Sequence, residues 1–236
     1  STISEVRIQN RIMKHILIID DEEEIRELLA YNLKKEGFEV STAENGIVGL
    51  DLLSKNDVNL ILLDVMMPEL DGIEVCHQIR KQPAYDHIII CFLTARSEDY
   101  SQIAGLDAGG DDYISKPIKP RVLISRINAL LRRNDPKTPK AQSVDDLIID
   151  RDKYLVTIKN KEIHLPKKEF ELLALLASRP GSVFERDNIL ESVWGSDIVV
   201  GDRTIDVHIR KLREKIGSHY IKTVKGVGYK FMNESI

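Results

Sequence analysis

The feature that most limits what this chain can become is a rhythm in its first half. A short apolar run is followed by a stretch of helical period, and the pair recurs five times. The apolar runs fall at residues 15–19, 38–43, 60–63, 88–93 and 113–114. Between them apolar side chains return three and four positions apart, as Ile25, Leu28, Leu29 and Leu33 do. Residues 47–53, 73–79, 100–108 and 120–132 read as further helices, and Gly37 closes the first one. Strand and helix alternating in this order predict an α/β fold: a doubly wound, five-stranded parallel sheet with helices on both faces.

In such a sheet the C-terminal ends of the strands converge on one edge, where ligands bind. Asp20 and Asp21 end the first strand, Asp64 the third, Thr94 the fourth and Lys116 the fifth. Each alone has an ordinary explanation: an acidic pair caps a helix, and an Asp after a strand makes a turn. Their joint position on one edge does not. Three carboxylates brought together repel one another, and a hard divalent cation such as Mg²⁺ relieves that repulsion with oxygen ligands. A hydroxyl and an ammonium beside them suit phosphoryl oxygens. The set therefore reads as machinery for phosphorylating a carboxylate, with Asp64 as nucleophile.

The second half follows a different pattern. Residues 134–143 hold two prolines and no large apolar side chain, which predicts a linker. Short strands at 147–149, 155–158 and 163–165 come next, then helices at 167–178, 186–194 and 203–216 and a hairpin of 220–224 with 229–232. The formal net charge of −4 hides an acidic front and a basic rear, a pattern that points the rear toward a polyanion. In residues 203–216 Ile205, Ile209, Leu212 and Ile216 form one buried stripe. The opposite face centres on Arg203, Val207, Arg210, Lys211 and Glu214. Arg suits guanine or phosphate and Val a thymine methyl, so that face fits a major groove. Lys222, Lys225 and Lys230 surround the glycine-rich tip of the hairpin.

Two sets of motifs sharpen this reading. The strings ILIIDDEEEIRELL, LILLDVMMPELDGIEV, LTAR and GGDDYISKP resemble the receiver domain of two-component response regulators, over residues 14–133. The resemblance implies a flavodoxin-like receiver in which Asp64 accepts a phosphoryl group from a sensor histidine kinase. It implies that Asp20, Asp21, Asp64 and the backbone carbonyl of Met66 organise Mg²⁺, that Thr94 and Lys116 bind phosphoryl oxygens, and that Thr94 and Tyr113 act as the switch. It places a cis peptide at Lys116-Pro117. It also implies a homodimer through the face that follows Thr94, with Asp111, Asp112 and Arg126 as charge pairs across a two-fold axis. Val122 stands where relatives place an acidic residue, which removes one such pair. Gly110 replaces the usual alanine, an exchange expected only to loosen a turn.

GDRTIDVHIRKLREKI and IKTVKGVGYKF resemble the winged helix-turn-helix effector domain of the OmpR/PhoB subfamily, over residues 144–232. The resemblance implies an α+β domain whose recognition helix is 203–216. Val207 and Arg210 are expected at base edges; Arg203, Thr204, His208, Lys211, Arg213 and Thr223 at the DNA backbone; Lys225 at the wing contact. The loop 195–202 corresponds to the segment that relatives turn toward RNA polymerase.

The chain is thus expected to divide into an N-terminal extension (1–12), a receiver (13–133), a linker (134–143) and a DNA-binding domain (144–236). It would act as a phosphorylation-dependent transcriptional regulator on tandem sites in double-stranded DNA, catalysing nothing beyond its own phosphorylation and dephosphorylation. The alternative is a receiver coupled to a protein-interaction module. A haloacid-dehalogenase-type phosphatase would need an Asp where Met66 stands, and no phosphate-binding glycine motif follows a strand. No apolar run approaches the ~20 residues of a membrane span, no leader is evident, and Cys76 and Cys91 lack metal-ligand spacing. Those features predict a cytoplasmic protein without membrane contact.

Overall fold

The computed structural model describes residues 13–95, 104–131, 141–144, 146–195 and 203–232. The expectations for residues 1–12, 134–140 and most of the loop 195–202 lie outside them, as does the first part of the helix expected at 100–108. Its remainder, from residue 104, is helical.

Five strands build the first sheet: β1 (His15–Ile19), β2 (Glu39–Ala43), β3 (Leu60–Asp64), β4 (Ile89–Ala95) and β5 (Asp112–Lys116). Their order is β2-β1-β3-β4-β5, and every pairing is parallel. Alternate residues serve opposite layers. Ile16, Ile18, Leu60, Leu62, Cys91 and Leu93 face Leu29 and Leu33 of α1 (Glu23–Lys35) and Leu123, Ile127 and Leu130 of α4 (Pro120–Leu131). Leu17, Ile19, Ile61, Leu63, Ile90 and Phe92 face Leu53 of α2 (Gly46–Lys55) and Val75, Cys76 and Ile79 of α3 (Gly72–Arg80). Burial on both sides explains strands that are apolar at every position rather than alternating.

The helices start where side chains meet their free N–H groups. The Asn45 carboxamide accepts from Val48 N–H at the start of α2, and the Asp71 carboxylate accepts from Glu74 N–H at the start of α3. Glu23 and Glu24 lie at the positive end of α1, Lys34 and Lys35 at its negative end.

The rear domain opens with an antiparallel sheet, β6 (Ala141–Val144), β7 (Leu147–Asp150), β8 (Leu155–Ile158) and β9 (Lys161–Ile163). Helices α5 (Lys167–Ala177), α6 (Arg186–Val193) and α7 (Arg203–Ile216) follow. A second antiparallel sheet has the order β10-β12-β11, from β10 (Val183–Glu185), β11 (Ile221–Val224) and β12 (Gly228–Phe231). Two strands escape a sequence reading. β6 overlaps the end of the expected linker and has no apolar pattern; it exists because its backbone pairs with β7. β10 is three residues long and is defined by its pairing to β12.

Gly110 does more than loosen a turn. A Cβ there would lie 2.4 Å from the Phe92 ring and 3.0 Å from the Gly105 carbonyl oxygen. Phe92 is buried at 1% exposure, so its ring has nowhere to retreat. Gly110→Ala is therefore expected to cost about 1–3 kcal/mol by overpacking, read as a lowered Tm in thermal unfolding. Phe92→Leu in the same chain should return much of that loss; equal Tm values for Gly110→Ala and the parent would contradict the packing argument.

Candidate functional site

The strand ends meet as the topology requires. Single carboxylate oxygens of Asp20, Asp21 and Asp64 lie within 4.8 Å of one another, with Asp20 and Asp64 buried and Asp21 exposed. The Lys116 ammonium sits among them, 3.1 Å from Asp20, 3.4 Å from Asp64 and 2.9 Å from Glu22. Glu22 went unremarked in the sequence; it belongs to the acidic run 20–24, and only the fold shows which member of that run reaches the lysine.

Local geometry holds each group. Asp20 accepts from the Glu22 N–H at 2.9 Å, turning the chain from β1 into α1. Gly72 backs Asp64 so closely that a Cβ would come within 2.0 Å of its carbonyl oxygen, and the Gly72 N–H donates to Val65 O. Only glycine lets α3 start there. Lys116-Pro117 is cis.

Burial, reinforced by the neighbouring Asp20 charge, pushes the Asp64 carboxyl up to about 7, against the pull of Lys116. Burial also raises Asp20, whose carboxylate the Glu22 N–H and Lys116 partly stabilise. For Lys116 burial acts downward, but the Glu22 hydrogen bond and the charges of Asp64 and Asp20 win and raise it. Thr94, one residue beyond the partner of Asp64 in β4, is 1% exposed and its hydroxyl has no hydrogen-bond partner among the described residues. Tyr113, half-buried on β5, pairs in register with Phe92. Met66 is exposed just past β3.

The expected dimer residues are paired within this chain. Asp111 is fully buried; its carboxylate accepts from Arg80 at 2.9 Å and from the Ile90 N–H at 2.8 Å. Asp112 is equally buried and takes two bonds from Arg126, at 2.7 and 3.0 Å. These pairs tie α3 and α4 to β5 within one chain.

In the rear domain α7 buries the expected stripe of Ile205, Ile209, Leu212 and Ile216. Arg203, Arg210 and Glu214 are exposed and Val207 half-buried. Thr204 and His208 are buried in this arrangement. His208 packs edge-on against Trp194, and its Nδ1 lies 2.8 Å from Thr204 O. Burial lowers the His208 imidazole. Thr204, His208 and Lys211 lie on one stripe of α7, and Lys211 has Cys76 and Asp107 of the receiver near it. Lys211 is 8% exposed and is likewise not open to solvent in this arrangement. Arg213 points to the wing rather than outward, donating to Ile221 O at 3.1 and 2.9 Å and to Thr223 Oγ1 at 2.9 Å. Lys225 is exposed at the hairpin tip.

An acidic pocket with an embedded lysine at one sheet edge is the hallmark of a phosphoacceptor domain, and the comparisons agree. Residues 16–128 match the family described as "Response regulator receiver domain", and residues 160–231 match "Transcriptional regulatory protein, C terminal". The chain is 41% identical over 240 residues to the alkaline phosphatase synthesis transcriptional regulatory protein PhoP of Bacillus subtilis, covering 94% of this chain and 99% of that one. It is 42% identical over 230 residues to the transcriptional regulatory protein SrrA of Staphylococcus aureus, covering 92% and 94%. Among solved structures, a single-site mutant of RitR superposes with TM-score 0.76 at 30% identity over 93% of this chain and 99% of that one. The response regulator DrrB of Thermotoga maritima, an OmpR/PhoB homologue, gives 0.50 at 34% identity over 94% of this chain and 100% of that one.

The chain belongs to the two-component response regulators of the OmpR/PhoB type, with a receiver followed by a DNA-binding output domain. It is a phosphorylation-dependent transcription regulator, and the protein-interaction alternative is not favoured. As a response regulator it has a sensor kinase and DNA as its partners. Among the described residues no helix is long and apolar enough to cross a membrane.

The raised Asp64 carboxyl has a consequence for stability. Between the unfolded value of 3.8 and about 7 the folded chain keeps a proton that the unfolded chain has lost. Stability must therefore fall as pH rises through that window and level off above it. Asp64→Asn removes this penalty. In chelator at pH 8 it should stabilise the chain by about 2 kcal/mol relative to its effect at about pH 3.5. Denaturant unfolding at the two pH values checks this; a difference that does not change with pH would contradict it.

Proposed function

We propose that Asp64 is the phosphoacceptor, that Asp20 and Asp21 with the carbonyl of Met66 hold a Mg²⁺ beside it, and that Thr94 and Lys116 receive the phosphoryl oxygens. The observation that carries this is the convergence of three carboxylate oxygens within 4.8 Å around one lysine. A hard cation fits that donor set, which consists of oxygens alone and carries more negative charge than one ammonium balances. When bound, Mg²⁺ supplies charge neutralisation for the phosphoryl oxygens.

An Asp64 oxygen attacks the phosphorus of the kinase phosphohistidine, the P–N bond breaks, and the imidazole leaves with the electron pair. Lys116 balances the charge that then spreads over the phosphoryl oxygens. The unpartnered Thr94 hydroxyl is suited to donate to one of them, and Tyr113 to fill the space that Thr94 leaves. Phosphorylation turns one negative charge into about −2, enough to bias such a switch. The receiver acts on no molecule but itself.

In the active form, receivers pair through the face following Thr94, and two effector domains occupy tandem half-sites about one helical turn apart. Asp111, Asp112 and Arg126 would form charge pairs across the two-fold axis of that interface in exchange for the bonds they make within this chain. Val207 and Arg210 on α7 would meet base edges, Arg203, Thr204, His208, Lys211, Arg213 and Thr223 the DNA backbone, and Lys225 the wing contact, with Arg213 holding Thr223. By resemblance the loop 195–202 would turn toward RNA polymerase. The chain would divide into a receiver of 13–133 and an effector domain of 144–236, with β6 taking up the end of the linker between them. The reading places the protein in the cytoplasm.

Two measurements test the reading. A small phosphodonor with Mg²⁺ should label the parent chain with an acid-labile phosphate and leave Asp64→Asn unlabelled; persistent labelling would rule out Asp64. Arg210→Ala should lose about 1–3 kcal/mol on the cognate duplex and narrow its preference over unrelated DNA. Unchanged discrimination in a competition assay would remove Arg210 from base reading.

A further inference from the structure

Lys116 has one partner that phosphoryl transfer does not require. Its ammonium is ringed by Asp20 at 3.1 Å, Asp64 at 3.4 Å and Glu22 at 2.9 Å, and it donates a hydrogen bond to the Glu22 carboxylate. That allocation runs against desolvation. The Asp20 oxygen facing the ammonium, Oδ2, is buried and has no hydrogen-bond partner among the described residues. The Glu22 side chain is 59% exposed, so water could satisfy it at little cost. Glu22 is also the N-cap of α1, yet its side chain caps none of the free N–H groups there. It reaches instead to the end of β5, 94 residues further along the chain.

We propose that Glu22 is a positioning residue that parks Lys116: it holds the ammonium while Asp64 is unmodified, and it is the partner that Lys116 gives up when a phosphoryl oxygen arrives. The proposal rests on the reading of Asp64 as phosphoacceptor. An ammonium has three N–H donors, and three carboxylates already surround this one, so a phosphoryl oxygen is bound only by displacing one of them. Asp20 cannot withdraw, because it is buried and tied to the Glu22 N–H at 2.9 Å. Asp64 carries the new group itself. Of the three, only Glu22 has an exposed carboxylate on a flexible stem, and the unfilled N-cap position and water can receive it. Because the Glu22 contact exists only before phosphorylation, it weighs against the phosphorylated form by its own strength. An ion pair at the surface gives a modest weight, about two- to five-fold in an equilibrium. That is enough to set the level of phosphorylation without preventing it.

The test uses the full chain and two variants. Glu22→Asp keeps the charge but draws it back by one methylene; Glu24→Gln removes a charge from the exposed first turn of α1. In chelator, the Lys116 Nζ resonance is read by NMR through its Cε carbon and assigned by its loss in Lys116→Arg. Affinity for beryllofluoride, a non-covalent mimic of the phosphoryl group, is measured by calorimetry at saturating Mg²⁺. Glu22→Asp is expected to shift the Nζ resonance and to tighten beryllofluoride binding about two- to five-fold, while Glu24→Gln does neither. An unmoved resonance in Glu22→Asp would show that Glu22 does not hold the lysine, and would overturn the proposal. So would a moved resonance with unchanged or weaker beryllofluoride binding, or an equal gain in Glu24→Gln, which lost charge alone would explain. If the parent binds no beryllofluoride and Asp64 takes no phosphate, the phosphoacceptor reading has failed. The exchange of partners then falls with it, and the Nζ resonance still decides whether Glu22 holds Lys116.

Discussion

Everything at the sheet edge depends on carboxylates that repel one another being held together by the backbone. Asp20 and Asp64 are both buried, and both stay closer to neutrality than a free carboxyl would. Hydrogen bonding and hydrophobic packing elsewhere pin β1 and β3 side by side, so the repulsion cannot relax by separation. It can relax by charge compensation, which Lys116 supplies in part and a cation or an esterified Asp64 would complete. Stored electrostatic tension of this kind is what makes a small chemical event at one carboxylate capable of shifting a domain.

Much of this was legible in the sequence, because the rules involved are local or topological. The apolar runs 16–19 and 60–63 announce burial on both faces, and parallel topology then gathers their C-terminal residues on one edge. Asp20, Asp21, Asp64 and Lys116 are found together for that reason alone. Glu22 was not visible, since which member of a run of five acids meets the lysine depends on the turn made by the Asp20 carboxylate. The burial of Thr204 and His208 was not visible either, because it depends on how the helix packs, with His208 against Trp194, whose indole N–H donates to Asp111 O of the receiver. Asp111 and Asp112 likewise read as surface charges because nothing in the sequence shows that Arg80 and Arg126 bury with them.

The buried pairs Asp111–Arg80 and Asp112–Arg126 have a mechanical sense. Each joins the start of β5 to a helix on a different face of the sheet, α3 on one side and α4 on the other. Breaking such a pair leaves an uncompensated buried charge, so these helices follow β5 when it moves. A displacement near Lys116 is then carried as a rigid shift of a sandwich rather than lost in side-chain rearrangement. The same strand begins beside the carbonyl that accepts from the Trp194 indole N–H.

The side chain of Arg213 bridges α7 to Ile221 and Thr223 of the terminal hairpin. Arg186 and Tyr229 reach Asp206 from the other side, with Arg186 at 2.7 Å. Helix and hairpin are thereby fused into a single stiff caliper, whose jaws are set at folding. In the proposed DNA-reading role such a tool would gauge groove width as well as base identity: duplexes that already have the right spacing would be gripped at once, and those that do not would themselves have to bend to fit.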